Sequence, residues 1–251
     1  AQFTTRWRVW LLVALLAGTP FGLLMFGALQ FAPSSHAAVF PFTAMSVMGM
    51  VLGEVVLGDR MTSRRVVGIA VVLTGLVLVS GVDASSLTPR AAIGDAMFLL
   101  AGTLWAGFGI VLRKHRLNPL LATAVVSLSA LLTYVPVYTL LLGLQWVPGQ
   151  VLVAPWRDVV FQMFFQGVGS VVVSGMTFTK MIQHFGPVRS TMITALVPGL
   201  SAISAVIFLG EPLGWNVLAG LALVTAGIVF GVRQAVIAIK PVAVSPINTR
   251  A

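Results

Sequence analysis

Apolar residues in this chain neither alternate nor recur singly at helical intervals. They run together in blocks of about twenty, the length of helix that crosses the hydrocarbon core of a bilayer. Eight blocks occur, at roughly 9–31, 36–57, 66–82, 92–112, 119–143, 159–179, 190–209 and 215–232. The connections are short and hold nearly all the charges, prolines and turn residues: "FAPSS", "GDRMTSRR", "DASSLTPR", "RKHRLNP", "LQWVPGQVLVAPWRD", "QHFGPVR" and "GEPLG". None is long enough to be a soluble domain. A β-barrel is excluded, because its strands alternate instead of running continuously apolar. The pattern predicts an all-α integral membrane protein, a polytopic helix bundle.

A second pattern lies inside the first. At a fixed offset of 152, Leu57, Gly58, Gly68, Ala70, Val72, Gly75 and Val77 recur as Leu209, Gly210, Gly220, Ala222, Val224, Gly227 and Val229, and Asp59 is matched by Glu211. The third and eighth spans are therefore copies. An odd number of crossings separates them, so they traverse the membrane in opposite directions. Such inverted repeats belong to transporters that alternate access between two sides. The offset aligns the first three spans with the last three and leaves the fourth and fifth unmatched. The expectation is a bundle built from inverted repeats, with eight helices present of ten. Residues 1–82 form a partial first repeat of three helices, 92–233 a complete second repeat of five, and 234–251 a cytoplasmic tail.

Composition and charge sharpen this picture. Hydrophobic residues make up 58% of the 251 and charged residues only 8%, against about 25% charged in a soluble domain. Mean hydropathy is +1.03. Of the 15 lysines and arginines, alternating sides along the chain places 13 on one face and only Arg90 and Arg157 on the other. Positive loops stay in the cytoplasm, so both ends of the chain are expected there, in the bacterial inner membrane. The net charge of +9 then faces anionic headgroups, not nucleic acid. The basic, then apolar, start also has the form of a signal peptide, but its apolar run continues to Phe31 without a small-residue cleavage site. There is no cysteine, hence no disulfide or thiolate metal site.

"LGEPLGWNVLAGLALVTAGIVFG", preceded by the span carrying Pro198, resembles the EamA-type module of the drug/metabolite transporter superfamily. "GDAMFLLAGTLWAGFGIVLRK", Gly94 to Lys114, is similar to the start of the same module. The first copy departs from the pattern: Ser46 stands where the second has Pro198, the turn acid is Asp59, and Glu54 is an added carboxylate. The resemblance implies movement of a small metabolite, such as an amino acid, across the inner membrane. It also implies a small-molecule substrate and the bilayer as partners. A coupling proton or sodium ion and a homodimer remain open, and no cofactor is expected.

The glycine pairs are expected to allow close helix packing. Charge at a helix N-terminus accounts for Asp59 and Glu211. Glu54 is expected at the cytoplasmic surface, snorkelling or paired with Arg60 or Arg64, with proton coupling as the other reading. His36, His115 and His184 lie at span ends or in loops without metal spacing and are expected to be interfacial, as are Trp7, Trp10, Trp146, Trp156 and Trp215. Trp105 lies deeper, among Gly102, Ala106, Gly107 and Gly109, which suits a cavity wall, where it would be a substrate-binding residue, or ordinary packing equally.

The substrate path is expected along the sixth span, where Gln162, Gln166, Ser170 and Ser174 recur every fourth residue and Thr177 falls in the same arc. Unpaired amides facing lipid would be costly, so the stripe faces a helix or, preferentially, a water-filled cavity. Enzymatic motifs are absent: there is no His-Glu-x-x-His, Gly-x-Ser-x-Gly or phosphate loop. The function expected is a secondary transporter. The alternative is a non-transporting membrane subunit that only packs with partner helices.

Overall fold

The computed structural model describes residues 7–37, 39–59, 61–80, 88–145, 153–194 and 214–232, with isolated positions between 196 and 207. Its helices are α1 (Trp7–Ala17), α2 (Thr19–Ala28), the short α3 (Ser34–Ala37), α4 (Phe40–Leu57), α5 (Ser63–Ser80), α6 (Pro89–His115) and α7 (Pro119–Gly143). They continue as α8 (Trp156–Phe164), a π-helical segment (Phe165–Ser174), α9 (Gly175–Phe185), α10 (Pro187–Thr194) and α11 (Trp215–Val232). No strand occurs among the described residues. Pro198 and Glu211 fall outside them, as do Trp146 and the tail.

Among the described residues, five stretches are long and apolar enough to cross a membrane: Trp7–Ala28, Phe40–Leu57, Pro89–His115, Pro119–Gly143 and Trp156–Phe185. Their outer surfaces suit lipid. On α7, Leu128, Leu131, Leu132, Val137 and Leu140 are each more than half exposed, an apolar face that water would not tolerate in a monomer. Local chemistry sets where the helices begin. The Thr88 hydroxyl accepts from the Ala91 amide (3.1 Å) ahead of α6, and Asn118 Oδ1 accepts from Leu120 (2.9 Å) and Leu121 (3.3 Å) ahead of α7. Each cap is followed by a proline, which lacks the N–H that a first turn leaves unpaired. At the other end, Gly58 closes α4 in the left-handed conformation (φ 69°), which glycine adopts without a steric penalty.

The most extensive helix pair is α5 with α11, the two copies of the repeated sequence. A Cβ on Gly75 would meet Gly220 O at 2.7 Å and Val224 Cγ2 at 2.7 Å; one on Gly227 would meet Gly68 O at 2.7 Å and Val72 Cγ2 at 2.8 Å. Rising numbers on one helix face falling numbers on the other, so the copies lie antiparallel. The contacts are also reciprocal, since the offset carries Gly68, Val72 and Gly75 onto Gly220, Val224 and Gly227. The ends of the seam correspond as well. Asn216 donates to Leu78 O (3.2 Å), and at the offset-related place the Arg64 guanidinium lies 6.0 Å from the Phe230 ring centroid. With no hydrophobic drive between helices in lipid, close approach over small residues holds such a pair together.

Helix α6 is the hub of the rest, packing against α4, α2 and α1. Its small residues allow this. A Cβ on Gly94 would meet Ala32 Cβ at 2.6 Å and Ala28 O at 2.8 Å, and one on Gly102 would meet Ala44 Cβ at 2.9 Å.

Candidate functional site

The first span is not one continuous helix. Pro20, in the first turn of α2, has no amide to continue the ladder from α1, and Gly18 breaks the chain direction with ψ −139°. A Cβ at Gly18 would lie 2.8 Å from Ser129 Oγ, so α7 comes close to the break. Thr19 Oγ1 lies 2.6 Å from Thr133 Oγ1. Thr133 already donates its proton to Ser129 O (2.7 Å), so Thr19 is the donor in that bond.

The sixth span also departs from α geometry, and at the corresponding place. Adding 152 to Gly18 gives Ser170, inside the π-helical segment Phe165–Ser174. Gly167 and Gly169 have open space where a Cβ would stand, so close packing does not require them. Two glycines followed by three valines weaken the α-helix here. Wider turns of this kind concentrate at functional sites. They also change the geometry of the stripe. The arc of Gln162, Gln166, Ser170, Ser174 and Thr177 expected from a regular α-helix does not hold through this segment. Bonds reaching five residues back bring residues four or five apart closer to one line, and Ser174 Oγ donates to Gly169 O (3.1 Å), five residues earlier.

All five stripe residues are exposed. Trp105 is half-buried and does not join them. Its ring packs against Phe21 (centroids 4.7 Å), Phe178 (5.2 Å) and Phe108 (5.4 Å), so the room left by its small neighbours is filled by aromatic packing between α2, α6 and α9. Phe178, next in sequence to Thr177, links it to the stripe's helix.

His36 is not interfacial. It is fully buried, and its Nδ1 lies 2.6 Å from Asp95 Oδ1, itself buried. Sequence spacing does not reveal the pair, because 59 residues separate its members and neither belongs to a local pattern. Trp10 is likewise buried (6% exposed), unlike Trp7, Trp156 and Trp215. Ser46, at the position of the second copy's Pro198, is fully buried, and its Oγ has no hydrogen-bond partner among the described residues.

Where α4 ends, Asp59 Oδ2 lies 4.0 Å from Arg113 Nη1. Helix α5 begins only at Ser63, so the carboxylate serves this arginine more directly than a helix N-terminus. Burial, then repulsion from Arg65 and Arg113, lowers the pKa of Arg189, just ahead of the seventh span, below the ordinary arginine value. Glu54 is exposed. Asp95 pairs with His36 and Asp59 with Arg113; Arg60, one of the partners expected for Glu54, lies outside the described residues. A cleft of about 330 Å³ opens beside α1 and α9, lined by Trp10, Arg116, Asn118 and Gln183 among others.

Apolar spans, oppositely directed copies and matched helix irregularities define a multi-pass all-α membrane protein of the transporter class. The chain belongs to the EamA-like transporter family, whose members it matches over residues 2–81 and 92–233. It is 24% identical over 217 residues to a protein of Salmonella typhimurium (strain LT2) named "Probable amino-acid metabolite efflux pump", covering 83% of this chain and 72% of that one. It is 25% identical over 222 residues to "Uncharacterized transporter YvbV" of Bacillus subtilis (strain 168), covering 88% and 70%. A crystal structure with 19% sequence identity shares the fold at a TM-score of 0.70, over 89% of this chain and 75% of that one.

Proposed function

We propose that this protein is a secondary transporter that moves a small polar metabolite, such as an amino acid or a related compound, across the bacterial inner membrane by alternating access. The C-terminus lies in the cytoplasm. The observation that carries this reading is the correspondence between the break at Gly18–Pro20 and the π-helical segment Phe165–Ser174. Interrupted helices at matching positions of two inverted halves mark the binding region of such transporters. The antiparallel seam of α5 and α11 supplies the axis about which similar halves can exchange conformations.

Gln162, Gln166, Ser170, Ser174 and Thr177 then line the substrate path. Exposed amides are costly against lipid, and a water-filled path satisfies them. Trp105 acts behind this path, holding α9 through Phe178 instead of contacting substrate. Neutral donors and acceptors suit a zwitterionic or uncharged solute, in keeping with the amino-acid metabolite named for the Salmonella protein. The reading is tested by replacing Gln166 and Ser170 singly with leucine. Transport should be lost with membrane insertion intact, and unchanged transport in either variant would take the stripe out of the path.

A further inference from the structure

The cleft beside α1 and α9 is not part of the proposed substrate path, and its walls have the chemistry of a ligand site. It forms where α6 ends. Arg116 adopts the left-handed conformation (φ 47°) after the last turn, and only Leu117 and Asn118 separate it from α7, which starts at Pro119. Leu117 is buried in one cluster with Trp10 of α1 and Ile182 of α9. That packing draws three segments, far apart in sequence, round a volume of about 330 Å³. Such a volume is at the small end of the range for ligand pockets.

The polar wall presents donors. Asn118 Oδ1 already accepts from the Leu120 and Leu121 amides, which leaves its NH2 group for a ligand. Gln183 Nε2 donates to Leu117 O and carries a second N–H. The Arg116 guanidinium is exposed and makes no hydrogen bond or ion pair among the described residues. Its planar fork fits two oxygens of one phosphate. No carboxylate lines the cleft among the described residues. Lys180 adds positive charge, three residues before Gln183 on α9 and so on the same side of that helix.

The apolar wall is Trp10, Leu117 and Leu121. Leu11 and Leu120, the residues next to Trp10 and Leu121, are 50% and 59% exposed. Surface suited to acyl chains therefore begins where the donors end. Basic pockets between membrane helices on the cytoplasmic side hold anionic lipid headgroups.

We propose that this cleft binds the phosphate of an anionic phospholipid, with Arg116, Asn118 and Gln183 holding its oxygens and the acyl chains lying along α1 and α7. In the orientation proposed above, the lipid belongs to the cytoplasmic leaflet. It joins the first family-matched stretch, through α1, to the second, through α7 and α9, and steadies the contact between them. The inference requires a chain that spans a membrane; it does not require transport, and its test uses no substrate.

The test is thermal unfolding of the purified protein in a neutral detergent. It is titrated separately with short-chain phosphatidylglycerol, short-chain phosphatidylcholine and inorganic phosphate. A ligand bound by the folded state alone raises the midpoint. Phosphatidylglycerol should raise it by several degrees, and the other two should leave it nearly unchanged. Asn118→Asp keeps an oxygen to cap α7 but puts a negative charge in the cleft. This variant should unfold no earlier than the parent without lipid, yet lose the phosphatidylglycerol shift. Arg116→Gln should lose most of the shift. Lys114→Gln removes an equal charge from the same helix end but not from the cleft, and should keep it. No shift with phosphatidylglycerol, or an equal one with phosphatidylcholine, would overturn the proposal. So would a loss in Lys114→Gln as large as in Arg116→Gln, which would make the effect one of surface charge. A full shift from inorganic phosphate would give the cleft to a free anion and overturn the lipid assignment. If Arg116→Gln fails to fold, Asn118→Asp decides: an undiminished shift in that variant overturns the proposal.

Discussion

The carbonyl oxygen of Gly75 lies 2.7 Å from the point where a Cβ on Gly220 would stand, and the carbonyl of Gly220 lies 2.7 Å from that point on Gly75. Each glycine makes room for the other's backbone. A methyl group at either position must push the helices apart, and overpacking of this kind costs about 1–3 kcal/mol. Gly75→Ala and Gly220→Ala should each lower the thermal unfolding midpoint of the purified protein in detergent. Gly22→Ala is the control, since nothing lies within 4 Å of its Cβ position. It should leave the midpoint unchanged or raise it slightly.

Orientation is tested with single cysteines. Asn118→Cys in the α6–α7 connection and Trp156→Cys, at a position 75% exposed, should fall on opposite sides. In intact cells an impermeant thiol reagent should label position 156 and not 118. The reverse pattern would turn the protein over and relocate the basic loops.

The sequence carried the spans and the repeat because lipid imposes a simple rule: a helix must be apolar for its whole crossing. The glycines of α5 and α11 were legible for a related reason, as spacing on one face survives in a single line of text. Deviations inside a span were not. The apolar run through Gly18 and Pro20 meets every criterion for one crossing, yet it folds as two helices. The stripe from Gln162 to Ser174 was visible as composition, but its geometry depended on the π-helical turns, which hydropathy does not report. The pairing of His36 with Asp95 is a contact between distant segments, and an isolated histidine near a span end gives no local sign of its partner. Trp105 was legible only in part. Its small neighbours along α6 were readable, while two of the three rings packed on it, Phe21 and Phe178, come from α2 and α9.

Hydroxyls and amides of the sixth span should respond differently to replacement. Ser174 Oγ is already bonded to Gly169 O, so Ser174→Ala should retain most transport. Gln166→Leu removes an exposed amide with no such backbone bond to fall back on and should abolish it. The comparison is made in proteoliposomes at matched protein density; equal effects of the two changes would mean that the stripe acts through helix structure.

Glu54 is exposed in the last turn of α4; in the proposed orientation that turn meets the cytoplasm, where water can solvate its carboxylate. Glu54→Gln should leave transport and its pH dependence as in the unaltered protein. Loss of the pH response in this variant would instead give Glu54 a role in proton coupling.

The central claim is that the chain carries a small polar solute through a path that opens alternately to each side. Its most direct measurement is counterflow in proteoliposomes of the purified protein, loaded with unlabelled amino acids and diluted into trace amounts of the labelled compounds. Alternating access predicts transient accumulation of label above its equilibrium level, saturable and absent from protein-free liposomes. Uptake no greater than in protein-free liposomes, for amino acids and for other small zwitterionic or uncharged metabolites alike, would contradict it.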